Sequence, residues 1–65
     1  MNNKITAKLR ALRASHQYTQ EYVAAELNIS QKAYSKIERG TTSLTINHLT
    51  KLATVYNVKI GYFFE

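Results

Sequence analysis

Gln20 to Arg39 reads QEYVAAELNISQKAYSKIER, and its spacing predicts two short helices joined by a tight turn. Thr19 stands where the first helix needs a cap, because its hydroxyl can accept an orphan N–H of the opening turn. Tyr18 before the cap and Val23 four residues after it are placed as a hydrophobic staple. Ser30 repeats the arrangement for the second helix, with Ile29 before it and Tyr34 four residues on. Leu27-Asn28-Ile29 lies between them, and after glycine, asparagine best tolerates the left-handed backbone that such a turn needs. Ala24 and Ala25 are small, so the second helix can cross close to the first. Val23, Leu27, Ile29, Tyr34 and Ile37 then share one interior. Gly40 is the usual residue just past a helix end.

This is the spacing of a helix-turn-helix, in which one helix lies across a DNA backbone and the next enters the major groove. An αα-hairpin within another small bundle would show the same core pattern. The outward residues favour the first reading. Gln31, Lys32, Ser35 and Lys36 are polar or basic and cluster on the exposed face of the second helix.

The 65 residues suffice for one domain with a thin core, taken as residues 1–65 with the motif at 20–39. Nine Lys and Arg against four Asp and Glu give a net charge of +5, which favours a polyanionic partner such as nucleic acid. The chain has no cysteine, so a disulfide framework and a thiolate metal site are excluded, in keeping with a reducing cytoplasm. No apolar run approaches a membrane span or a signal peptide. There is no proline and there are only two glycines, as expected of a helical unit.

Upstream of the motif, Met1 to Lys4 reads as a frayed lead-in. Ile5, Leu9 and Leu12 form an apolar stripe, predicting a helix over about residues 4–15. Lys4, Lys8, Arg10 and Arg13 lie on its other faces, with Lys8 read as solvated. Ser15-His16-Gln17 is a polar connector. His16 reads as a loop residue, since no cysteine or second histidine stands at metal spacing. Downstream, Thr41-Thr42-Ser43 forms a polar loop, and Leu44, Thr45 and Leu49 repeat the staple and cap. Ile46, Leu49, Leu52, Ala53 and Tyr56 predict a buried stripe on a helix over about 46–56, stopped at Asn57. His48 reads as a surface or rim histidine.

Val58 to Glu65 admits two readings. Val58, Ile60, Tyr62 and Phe64 alternate as in a half-buried strand, whereas Ile60, Phe63 and Phe64 fit one face of a short helix. Lys59 is a poor cap, and Gly61 weakens a helix by ~1 kcal/mol relative to alanine. Either way the segment holds more apolar surface than so small a core needs, which points to a partner surface.

The chain resembles the Cro/repressor type of helix-turn-helix regulators. The residues that carry the resemblance are Leu9-Arg10-Ala11-Leu12-Arg13, Tyr18-Thr19-Gln20, Val23-Ala24-Ala25, Leu27-Asn28-Ile29-Ser30, Tyr34 to Gly40, and Leu49 to Ala53. They stand in order over about residues 5 to 64. The resemblance implies an all-α, compact five-helix fold, with a short helix for the last segment. It implies a cytoplasmic bacterial or phage protein that binds double-stranded DNA as a homodimer on a two-fold site. The recognition helices would enter successive major grooves ~34 Å apart. By position, Gln20, Arg39 and the Thr41-Thr42-Ser43 loop would contact the DNA backbone, and Gln31, Lys32, Ser35 and Lys36 would read base edges. Tyr56, Val58, Ile60, Tyr62 and Phe64 would pair the copies, and Arg13 and Glu38 would form a structural ion pair. The loop after the recognition helix departs from the family by lacking basic residues and proline.

The reading is therefore a sequence-specific regulator, repressor-like, with no cofactor, no metal and no catalytic set. Two alternatives share the fold: an antitoxin-type module that holds a protein partner through the C-terminal apolar surface, and a restriction–modification controller. A non-specific nucleic-acid binder is a third, distinguished by the absence of any sequence preference.

Overall fold

The computed structural model describes residues 3–65, with side chains from Lys4 onward. Of the expected lead-in, Met1 and Asn2 lie outside the described residues. Four α-helices follow in order, α1 (Asn3–Ser15), α2 (Gln20–Glu26), α3 (Gln31–Arg39) and α4 (Ile46–Tyr56), and a 3₁₀ helix, η1 (Ile60–Phe64), closes the chain. No strand occurs among the described residues, so the last segment takes the helical of its two readings.

The three side-chain caps expected from sequence are present. Thr19 Oγ1 accepts the Tyr22 N–H at 3.0 Å, Ser30 Oγ that of Ala33 at 3.1 Å, and Thr45 Oγ1 that of His48 at 3.1 Å. Each cap residue is extended (φ −85, −72 and −85), which lets the hydroxyl turn back onto the first turn.

All four α-helices end in one way. A left-handed residue, Gln17 (φ 60), Asn28 (φ 62), Gly40 (φ 77) or Asn57 (φ 57), reverses the chain. The next N–H then returns to the carbonyl five residues back. These bonds are Tyr18 to Arg13, Ile29 to Ala24, Thr41 to Lys36 and Val58 to Ala53, at 2.9–3.1 Å. This is the Schellman arrangement, which satisfies carbonyls the helix leaves open. Tyr18, Ile29 and Val58 tuck their side chains against the core just past the reversal.

The core gathers residues from every element: Leu9 of α1, Val23 and Ala24 of α2, Tyr34 and Ile37 of α3, Leu49, Leu52 and Tyr56 of α4, and Phe63 of η1. Ala24 is buried where α2 meets α3, while Ala25 faces solvent. Three sequence readings are corrected here. Ile46, expected in the α4 stripe, is 64 % exposed and lines an open apolar cleft instead of the core. Tyr56, assigned to a pairing surface, is 2 % exposed and belongs to the core. Lys8 is not simply solvated: its ammonium donates to the carbonyls of Tyr62 at 2.7 Å and Glu65 at 2.9 Å. The same ammonium lies 4.7 Å from the centre of the Tyr62 ring. A cation here satisfies open carbonyls and favours the negative end of a helix. Lys8 thereby does for the close of η1 what Lys59, which makes no side-chain cap, does not do for its start.

Candidate nucleic-acid interface

Gln20 opens α2, and α3 packs beside that helix. Gln20, Gln31, Lys32, Ser35 and Arg39 together line a shallow open depression between the two helices. Gln31, Lys32 and Arg39 are exposed, and Gln20 and Ser35 are half-buried. At 100° per residue, Ser35, Arg39 and Lys32 fall within about 100° of Gln31 around α3, whereas Lys36 stands about 140° away. Arg39 therefore shares a face with Gln31, and Lys36, also exposed, lies outside the depression. The surface offers amide donors and acceptors, a hydroxyl, an ammonium and a guanidinium, the groups that suit base edges and phosphates.

The loop Thr41-Thr42-Ser43 is exposed and follows directly on the reversal at Gly40. Thr41 is held there twice, its N–H at 3.1 Å and its hydroxyl at 3.2 Å both donating to the Lys36 carbonyl. Thr42 and Ser43 line a second feature, an apolar cleft between α1, the loop, the start of α4 and η1.

Behind the recognition face runs a polar network centred on Glu38, which is 2 % exposed. Arg13 Nε donates to Glu38 Oε2 at 2.7 Å and Arg13 Nη2 to Oε1 at 3.2 Å, a two-point ion pair. Gln20 Nε2 donates to the same Oε1 at 3.2 Å. Arg13 Nη1 reaches the Tyr18 carbonyl at 3.2 Å, and Arg10 Nη1 reaches the Glu38 carbonyl at 2.7 Å. One carboxylate thus ties α1, the α1–α2 connector, α2 and α3 together. It also holds the amide of Gln20 in place at the start of α2.

Burial acts to raise the Glu38 carboxyl, but the hydrogen bonds from Arg13 and Gln20, with the Tyr34 hydroxyl nearby, outweigh it, so the net shift is downward. The Tyr34 hydroxyl is buried without a hydrogen bond of good geometry, yet it stands close enough to the carboxylate to act on its titration. Burial pushes both Tyr34 and Tyr56 above the usual tyrosine range, so both phenols are neutral at working pH. Arg13 is raised, chiefly by its hydrogen bond to Glu38. Tyr34, the one aromatic on α3, is fully buried and takes no part in the outer surface.

Of the residues assigned to pairing, Ile60 is 36 % and Phe64 59 % exposed, and Val58 and Tyr62 are half-buried. Phe64 borders the apolar cleft opposite Ile46, with Ile5, Ile37, Leu44 and Leu49 lining it. No group of three or more His, Cys, Asp or Glu among the described residues could hold a metal ion. None of the described helices is long and apolar enough to cross a membrane.

Neither the curated proteins nor the solved structures yield a match to the chain. A family model described as helix-turn-helix matches residues 9–63, from the apolar stripe of α1 to the buried phenylalanine of η1. With the caps, the crossing of α2 and α3 and the polar face of α3 in place, the chain belongs to the Cro/repressor-type helix-turn-helix family of DNA-binding regulators.

Proposed function

We propose that this chain is a sequence-specific transcription regulator that acts as a repressor-like homodimer on a two-fold operator. The observation that carries the reading is the depression that gathers Gln20, Gln31, Lys32, Ser35 and Arg39 on one side of the helix pair. Gln20 meets a phosphate at the start of α2, where the helix dipole favours an anion. Gln31 and Lys32 read base edges, a glutamine pairing with adenine and a lysine with guanine. Arg39, first assigned to the backbone, shares their face and is placed to reach a base as well as a phosphate. Lys36 flanks this face, where its ammonium meets the backbone. Thr41, Thr42 and Ser43 contact phosphate through hydroxyl and N–H groups, which adds no charge and keeps the salt dependence shallow.

Binding of single-substituted variants to a panel of point-substituted operators tests these roles. Gln31→Ala is expected to relax preference at particular base pairs by ~1–3 kcal/mol with the melting temperature unchanged. Lys36→Ala is expected to weaken all sequences alike. Uniform weakening by Gln31→Ala, or a relaxed base preference from Lys36→Ala, would reverse the two assignments.

The homodimer rests on the cleft bordered by Ile46 and Phe64. No charged side chain lines it, so a chain of net charge +5 can meet its own copy there without opposing like charges. Ile60 extends the apolar surface beyond it. Phe64→Asp is expected to cost about 2 kcal/mol of pairing, the scale of a central interface residue, and to turn a dimer to monomer in sedimentation. Because Phe64 is 59 % exposed, the fold is expected to survive the change. An unchanged mass in solution would remove this surface from the account.

A further inference from the structure

α2 carries a second exposed surface, turned away from the depression at Gln20. At 100° per residue, Tyr22 stands about 200° and Glu26 about 240° around the helix from Gln20. Tyr18, just before the cap, lays its ring beside that of Tyr22, with centroids 4.6 Å apart and planes at 49°. It also stands 5.3 Å from the His16 ring and 6.0 Å from the Tyr56 ring, nearly parallel to the latter. Buried Tyr56 braces the group from below, while Tyr22 is 46 % exposed and His16 and Glu26 face solvent. The backbone holds this arrangement in place: Gln17 is left-handed, and the Tyr18 N–H is fixed at 3.0 Å to the Arg13 carbonyl.

The stretch of chain that carries the patch is opposite in charge to the whole, and the guanidinium that reaches it, that of Arg13 at the Tyr18 carbonyl, is paired with Glu38. Residues 14–30 contain no Lys or Arg, although the chain has nine, and they hold two of its four acidic residues, Glu21 and Glu26. Among the described residues neither Glu21 nor Glu26 is joined in an ion pair as Glu38 is with Arg13. Tyr22 and Glu26 stand one turn apart on α2, so ring and carboxylate share a face, and the Glu26 charge acts to raise the Tyr22 phenol. An exposed ring face beside an unpaired carboxylate attracts a cation through the ring quadrupole and the charge together. A planar guanidinium satisfies both at once, since it stacks on the ring and offers its edge to the carboxylate. The Glu26 carboxylate, at the far end of α2 from Gln20, repels a nucleic acid backbone.

We propose that the Tyr18–Tyr22–Glu26 patch is a docking site for an arginine-bearing surface of a partner protein. The guanidinium stacks on the exposed Tyr22 ring and pairs with Glu26, while His16 and Tyr18 form the wall behind it. Because the patch lies round α2 from Gln20, it stays open when the recognition face is occupied.

The test uses the full chain, isotopically labelled, titrated with a capped triarginine peptide and, separately, with a capped triglutamate peptide. Triarginine is expected to shift the ring resonances of Tyr18 and Tyr22 and the carboxylate carbon of Glu26 saturably, and triglutamate to leave them unmoved. Glu26→Gln and Tyr22→Ala, both at exposed positions, are expected to keep the parent melting temperature and to weaken triarginine binding by roughly threefold each. Absence of the shift, an equal response to triglutamate, or undiminished binding in both variants would overturn the proposal. So would patch resonances that move with protein concentration alone, which would make the occupant a second copy of this chain.

Discussion

Replacing Arg13 with alanine is expected to destabilise the fold by about 3 kcal/mol, the lower end of the range for breaking a buried ion pair. The lower end applies because the Arg13 side chain keeps 24 % of its surface exposed, whereas Glu38 is 2 % exposed and would be stranded. For a chain of this size such a loss corresponds to a melting temperature lower by roughly 12–24 °C. The reverse change, Glu38→Gln, leaves Arg13 closer to water and keeps an acceptor for its N–H groups, so a smaller loss is expected. The two variants also differ in their response to pH. In the parent, Glu38 titrates below its ordinary value, so its contribution is complete above about pH 4.3, where the unfolded carboxyl ionises, and is lost as pH falls through the folded value. In Arg13→Ala, burial acts without its main opponent and raises the folded carboxyl above the unfolded one. That variant should gain stability as pH falls from neutral towards the unfolded value of about 4.3, where the parent does not. Thermal melts across this range check both signs. Parallel pH curves for parent and variant would show that the pair does not set the titration of Glu38.

Replacing Phe63 with alanine is expected to cost about 3–5 kcal/mol, the usual range for emptying a buried aromatic site. Phe63 is 1 % exposed and is the only buried side chain of η1. The segment is otherwise held by Lys8 and by Tyr62, which packs half-buried against the core. Loss of Phe63 should therefore release residues 60–64 as well as weaken the core, and their amides should lose protection in hydrogen exchange before those of α4. The adjacent Phe64→Ala serves as the contrast, because a side chain 59 % exposed has little burial to lose. Equal effects at the two positions would mean that the register of η1 is wrong.

The local signals in the sequence were the legible ones. Thr19, Ser30 and Thr45 act through hydroxyls three residues from their targets, and Asn28, Gly40 and Asn57 act through their own backbone preference, so neighbours suffice to read them. Gln17 adopts the same left-handed backbone without belonging to the residue types that favour it, so only the closure of α1 reveals it. Lys8 could not be read from its neighbours because its partners lie 54 and 57 residues away. The last segment was open for a related reason: alternation and helical spacing both fit, and it is Phe63 in the core, with Lys8 at the far end, that decides for a 3₁₀ helix. The buried stripe of α4 was right from Leu49 onward and failed at Ile46, where the helix begins before the core does. Tyr56 was counted as surplus apolar surface, although it fills the space behind Tyr18 and Tyr34.

The candidate interface was legible in outline and not in grouping. Gln31, Lys32 and Ser35 share one face of α3 by spacing alone. That Gln20 borders the same depression follows from the crossing of α2 and α3, and the inclusion of Arg39 rather than Lys36 follows from the sweep of the helix over its full length. The acidic and aromatic side of α2 drew no notice in sequence because its parts are scattered from His16 to Glu26 and only the left-handed turn at Gln17 brings them together.

Selection from a random duplex library at near-physiological salt tests the central claim most directly. Enrichment of one two-fold sequence is expected, with half-sites one helical turn apart, ~34 Å, and binding that survives moderate salt. A folded chain that enriches no sequence would contradict it.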